Sequence, residues 1–179
     1  GVHCFVENPL TSTYVESEEI ILLAQENSVT VQVGHVERFN PALTALKNYS
    51  VKPLFIEAHR LAQFKTRGSD VSVVHDLMIH DIDVALWLVG SPIVQIEANG
   101  VGVLSDTIDV ANARLTFANG CIANLTASRI SAKPMRKMRV FQLDAYMSLD
   151  FSTGETEIYR LINDDDVSMN QSPAAMLGD

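Results

Sequence analysis

Two architectures in succession are predicted by this sequence: an α/β segment that ends a parallel sheet, then an α+β segment with an open, mainly antiparallel sheet and helices on one face. Three observations predict them. A strand, a helix and a second strand follow one another within about 35 residues, the size of a parallel βαβ crossover, the unit of doubly wound sheets. From Val51 the pattern changes to a series of short strands, broken by one helix around Asp76 to Val89. Several of these strands alternate small apolar with polar residues, as expected where one face packs on a core.

The elements follow in order. Val2 to Val6 reads as a short buried strand, ended by Glu7-Asn8-Pro9, where proline imposes an extended or turn conformation on Asn8 and permits a cis bond. Thr13 followed by Glu16 is a capping-box signature, and Val15, Ile20, Leu23 and Ala24 continue it as an amphipathic helix to about Asn27. Val29 to Val33 is the second strand. Asn40-Pro41 supplies a cap and an N1 proline for a helix running through Leu43 and Leu46 to Tyr49.

Strands are then expected at Leu54 to Gln63, Val94 to Val103, Ile108 to Phe117, Ile122 to Ser131, Arg139 to Gln142, Ala145 to Asp150 and Glu157 to Leu161. Asn119-Gly120 marks a tight hairpin between two of them. Ala111, Ala113, Leu115 and Phe117 share one face, as do Cys121, Ala123, Leu125 and Ala127 of the partner strand. Side chains this small let a helix or second sheet approach closely. Asn163-Asp164-Asp165-Asp166 and the residues after it read as a polar tail.

Composition narrows the function classes. With 47% apolar and 20% charged residues, the chain is globular rather than disordered. No run approaches the ~20 apolar residues of a membrane span. A formal net charge of −9 argues against nucleic acid or an anionic membrane as partner, leaving small molecules. Gly1 to Val6 has neither a basic region nor a long apolar stretch, so no signal peptide is expected there; opening in a strand without an initiator Met, it reads as a chain met partway. Cys4 and Cys121 match no metal or redox spacing and fit core thiols in a reducing, cytoplasmic setting.

The most informative segment is Asp76-Leu77-Met78-Ile79-His80-Asp81-Ile82-Asp83. Apolar residues recur at Val74, Met78, Ile82, Ala85 and Val89, placing Asp76, His80, Asp83 and Trp87 on a neighbouring stripe. On a helix Asp76 and His80 share a face. Imidazole titrates near neutrality, and a carboxylate beside it can orient it, which suits proton transfer; the same geometry is equally that of a helix salt bridge. The nearby His75, Asp81 and Asp83 do not have His-Glu-x-x-His spacing, so no metal is expected. Trp87 is expected in the core and His35 as a packed loop residue. Arg38 either sits at a cofactor or substrate or is a buried arginine paired with a carboxylate at a domain junction. Arg129, Lys133, Arg136, Lys137 and Arg139 form a basic cluster, expected as solvated charge at a hairpin and strand edge, with phosphate binding as the alternative.

Three segments together resemble the Gfo/Idh/MocA family of NAD(P)-dependent oxidoreductases. They are Cys4-Phe5-Val6-Glu7-Asn8-Pro9-Leu10, similar to a family strand ending in Glu-Lys-Pro; Val33-Gly34-His35-Val36-Glu37-Arg38-Phe39-Asn40-Pro41, similar to the start of its second domain; and the Asp76-x-x-x-His80 helix. The resemblance covers roughly residues 1 to 160. It implies that residues 1–36 end a Rossmann dinucleotide-binding domain and that 37–165 form an α/β substrate and oligomerisation domain, followed by a tail at 166–179. It implies a catalytic His80 that exchanges a proton with a substrate hydroxyl while hydride moves to or from NAD or NADP, with Asp76 orienting His80 or the substrate. Glu7, Asn8 and Arg38 would lie on the cofactor side.

No Gly-x-Gly-x-x-Gly turn occurs, since Gly100-Val101-Gly102 lies in a strand pattern, so the main cofactor-binding region is outside this sequence and tight NAD(P) binding by it is not expected. The wording of residues 34–41 is nearest to members that oxidise nucleotide-activated amino sugars. A sugar or nucleotide-sugar substrate and a homo-oligomer formed through the open sheet are the implied partners. Asn8 departs from the family's lysine: an amide can hydrogen-bond a hydroxyl but brings no charge and relays no proton. The second reading is therefore a catalytically degraded member serving as an oligomerising or sugar-binding module.

Overall fold

The computed structural model describes residues 1–65 and 70–161; the expected polar tail lies outside them. The amino end is a strand, helix and strand: β1 (Cys4–Glu7), α1 (Tyr14–Glu26) and β2 (Val31–Gly34). Helix α1 starts where its sequence says, because the Thr13 hydroxyl accepts from Glu16 N–H and the Glu16 carboxylate accepts from Thr13 N–H. Crossing back over α1, the chain pairs β1 with β2 in parallel, Glu7 opposite Gly34. The Asn8-Pro9 bond is cis.

A tight helical turn at Val36–Phe39 leads to α2 (Pro41–Thr44), whose Asn40 cap accepts from Ala42 N–H at 3.0 Å. Next come β3 (Phe55–Leu61), a wide π-helical turn at Val74–Met78, and α3 (Ile79–Val89), which ends at Gly90 in the left-handed conformation. Six strands complete the chain: β4 (Ile93–Val101), β5 (Val110–Phe117), β6 (Ile122–Ser128), β7 (Met135–Phe141), β8 (Ala145–Asp150) and β9 (Glu155–Arg160). They form one seven-stranded sheet in the order β4-β5-β6-β3-β7-β8-β9. All neighbours are antiparallel except β3 and β6, so the expectation of an open, mainly antiparallel sheet holds. The β5-β6 hairpin turns at Asn119-Gly120, with Gly120 at φ 87° and the Asn119 side chain accepting from Cys121 N–H.

Alternation puts Ile56, Ala58, Leu115, Ala123, Leu125, Met138, Val140 and Leu149 on the buried face. Helix α3 lies over β3 and β6, and α2 over β8 and β9. The alanines of β5 and β6 supply the close approach that their size predicts. The opposite face carries Glu57, His59, Arg114 and Asn124 around an open cleft of about 410 Å³.

The amino end differs from its expectation. The first strand is not buried: Phe5 is 63% exposed, and α1 buries no residue although its apolar positions follow a helical repeat. A pair of strands with one helix has no second layer to cover both faces. Cys121 is a core thiol as expected, but Cys4 is exposed. Trp87 is 48% exposed rather than in the core, because it leaves α3 on the side away from the sheet.

Candidate active site at the junction of strand ends and helix

The site is assembled where the ends of β1 and β2 meet α3. Two arginines hold that junction. Arg38 donates from Nε and Nη2 to the two oxygens of Asp83, at 2.8 and 2.5 Å. Arg60, the one basic residue in the apolar alternation Ile56-x-Ala58-x-Arg60, is 2% exposed and donates to both oxygens of Asp81, at 3.0 and 2.9 Å, and to Glu37 at 3.1 Å. Its guanidinium also sits 5.8 Å from the centre of the Phe151 ring. Glu37 and Arg38 belong to one turn, Arg60 to β3, and Asp81 and Asp83 to the start of α3, so five ion-paired residues fix helix to turn. Such paired forks are geometrically demanding, and removing one partner leaves a buried charge.

His80 stands between Ile79 and Asp81 and is treated differently. It is half-buried, and no described residue hydrogen-bonds its imidazole. Burial pushes its pKa below the ordinary histidine value, and the Arg60 charge lowers it further, against opposing pulls from Glu37 and Asp81. Both effects favour the neutral ring, the form that can take a proton.

The expected partner of His80 is not in contact with it. Asp76 lies on the wide turn, exposed, and no hydrogen bond or ion pair joins the two. The α-helical spacing that puts residues four apart on one face does not apply where Ile79 N–H bonds Val74 O five residues back. The salt-bridge alternative is therefore absent, and Asp76 is left facing outward.

Glu7 is exposed, with its carboxylate beside Gly34, where an added Cβ would lie 3.0 Å from Oε2. Asn8 is partly buried, and its Nδ2 is closed off without a partner among the described residues. Arg38 pairs with a carboxylate as in the second alternative, but its side chain is 39% exposed rather than buried. His35 is not simply packed: its Nδ1 lies 3.5 Å from Asp83 Oδ1.

The basic cluster disperses. Arg129 is buried against Asp109, Lys137 pairs with Asp150, and Arg139 with Glu57. Among the described residues no three potential metal ligands converge.

Sequence reasoning missed two anchors. One is the Arg60, Asp81, Glu37 set, whose signal was an arginine at a core position of β3. The other is Asp109, fully buried, which accepts from the N–H groups of Val103, Leu104 and Ser105 and from the Ser105 hydroxyl. These donors, the Ser105 hydroxyl first, hold its carboxyl well below the usual carboxylate range. Arg129 bonds both Val71 O and Ile108 O, tying this loop to the segment before the wide turn.

Residues 52–146 match the model of the GFO/IDH/MocA C-terminal domain. The chain belongs to that family. It is 42% identical over 160 residues to UDP-N-acetylglucosamine 3-dehydrogenase of Acidithiobacillus ferrooxidans, a match that takes in 89% of this chain and 51% of the relative. The solved structure of that dehydrogenase, GnnA, superposes with a TM-score of 0.84 at 42% identity, covering 90% of this chain and 54% of that one. The WlbA dehydrogenase of Chromobacterium violaceum, solved with NADH and UDP-GlcNAcA, shares the fold at 13% identity and a TM-score of 0.74, over 82% of this chain and 48% of its own. This GFO/IDH/MocA chain thus spans about half the length of the relatives it matches.

Proposed function

We propose that this chain is the substrate-facing part of an NAD(P)-dependent oxidoreductase that acts on a hydroxyl of a sugar or nucleotide sugar. The carrying observation is His80: a half-buried imidazole with no hydrogen bond to a described residue, on a helix clamped by two arginine pairs to the turn that follows β2. Ligands of open parallel sheets bind outside the carboxyl ends of the strands, the edge on which Glu7, Asn8 and His35 lie. The relatives, UDP-N-acetylglucosamine 3-dehydrogenase and a dehydrogenase solved with UDP-GlcNAcA, support a UDP-linked amino sugar as substrate.

Residues 1–36 then end a dinucleotide-binding unit, and the apolar positions left open on α1 are its packing surface toward the rest of that unit. The unpartnered amide of Asn8 fits a bound dinucleotide or hydroxyl at this edge. The nicotinamide, when bound, supplies a hydride acceptor or donor. His80 takes the hydroxyl proton in oxidation and returns it in reduction; because its pKa lies low, it is competent at neutral pH and loses function as the ring becomes protonated in acid. Asn8 donates a hydrogen bond to the reacting oxygen, Asp76 faces the substrate rather than His80, and Arg38 acts through Asp83 to hold α3. Self-association occurs through the open polar face of the sheet, and the compartment is the cytoplasm.

The test is to incubate the whole protein with NAD or NADP and UDP-N-acetylglucosamine, and to follow reduced cofactor and a keto sugar. Formation of both is expected. Binding of the sugar nucleotide with no turnover under any cofactor would contradict the proposal. It would instead favour the second reading, a sugar-binding module, which Asn8 in place of lysine supports; Asn8→Lys would then restore turnover if the remaining groups are competent.

A further inference from the structure

Adjacent strand ends at the junction carry two buried side-chain nitrogens that make no hydrogen bond to a described residue, one of them facing a carboxylate. Glu7 is paired with Gly34 in the β1-β2 ladder, so Asn8 and His35 leave the sheet side by side. Asn8 Nδ2 and His35 Nδ1 are both closed to solvent and without a hydrogen bond. Unsatisfied buried polar atoms are few in native proteins; His35 Nδ1 has the Asp83 carboxylate beside it, which makes its other ring nitrogen the one open to a further partner.

The His35 ring is oriented. Its Nδ1 edge lies against Asp83 Oδ1 at 3.5 Å, and Asp83 is itself fixed by two donors of Arg38. The side chain keeps 32% of its exposure while Nδ1 is sealed, so the exposure comes from the rest of the ring, of which Nε2 is the one polar atom. A carboxylate beside Nδ1 favours the tautomer with the proton there, leaving Nε2 as a hydrogen-bond acceptor.

Asp83 lies three residues beyond His80 on α3, so His35 stands between the strand ends and the helix that bears the proton acceptor. On the dehydrogenase reading, on which this inference rests, the reacting carbon of the cofactor has to meet the substrate hydroxyl beside His80. The nicotinamide end of the dinucleotide is therefore the end that passes His35. We propose that His35 Nε2 accepts a hydrogen bond from the carboxamide N–H of the nicotinamide, with Asp83 holding the far edge of the ring. His35 is then a cofactor-binding residue that selects the amide of the nicotinamide.

The experiment measures dissociation constants of the whole protein for the oxidised dinucleotide and for its acetylpyridine analogue, whose methyl ketone lacks the amide N–H, by calorimetry. Wild type is expected to bind the natural dinucleotide about fivefold more tightly than the analogue, the worth of one hydrogen bond. His35→Ala should erase that preference while binding the analogue as wild type does. His35→Gln, which keeps an acceptor, should retain most of it, and the ligand-free melting temperatures of both variants should match wild type. Equal weakening toward both ligands, or no change toward either, would overturn the role of His35 while leaving the dehydrogenase reading intact. Failure of the wild-type protein to bind either dinucleotide would overturn both.

Discussion

The amino-terminal strand, helix and strand and the seven-stranded sheet obey the same local rules, with the same capping, alternation and turn chemistry, yet their burial is opposite. Helix α1 has a complete capping box and buries nothing; β3 has no such local device and is sealed on one face from Ile56 to Arg60. Local signals set where an element starts and stops, whereas burial depends on which surface arrives to cover it. The sheet finds its cover within the chain, from α2 and α3. The strand pair finds no such cover among the described residues. Where the two regions join, hydrophobic packing gives way to the Arg38-Asp83 and Arg60-Asp81-Glu37 pairs, and that is where the candidate chemistry sits.

The largest effect that sharpens this contrast is expected at Arg60. Arg60→Ala strands the Asp81 carboxylate beneath α3 and leaves Glu37 without its partner, and should cost roughly 3–5 kcal/mol in urea unfolding. A loss near zero would mean the junction is not held by this set.

Next come truncations on either side of the comparison. Leu125→Ala, in the sealed core, is expected to cost about 2–5 kcal/mol, and Leu22→Ala on the open face of α1 about 0.5 kcal/mol or less in this chain. Similar costs at the two sites would break the comparison, because they would show the helix to be packed after all.

The remaining effect is an acid one. The Asp109 carboxyl is depressed by the Ser105 hydroxyl and three backbone donors, so its stabilisation is complete above the unfolded pKa of about 3.9 and is lost as the pH falls below it. Asp109→Asn should therefore be less stable than wild type at neutral pH, with the gap narrowing below about pH 4 in matched urea series. A gap independent of pH would remove charge from the explanation.

Much of the fold was legible in residues. Thr13 and Glu16 gave the start of α1, Asn40-Pro41 that of α2, and Asn119-Gly120 the hairpin, because each device is local. The parallel pairing of β3 with β6 was not legible, since it joins strands 67 positions apart in sequence (Phe55 with Ile122) with no local mark. At the site, spacing singled out His80 but misjudged its company. Helical periodicity assumed an unbroken α-helix, and the wide turn at Val74–Met78 separated Asp76 from it. The imidazole that does approach a carboxylate is His35, whose partner Asp83 is 48 residues away and could be matched to it only in three dimensions.

The central claim is that His80 moves the proton of the substrate hydroxyl. The direct measurement is steady-state turnover and dinucleotide affinity of the whole protein with His80→Ala. The expected result is a loss of kcat of about 10²–10⁴-fold, with dinucleotide Kd within about twofold of wild type. Wild-type kcat in the variant would contradict the claim.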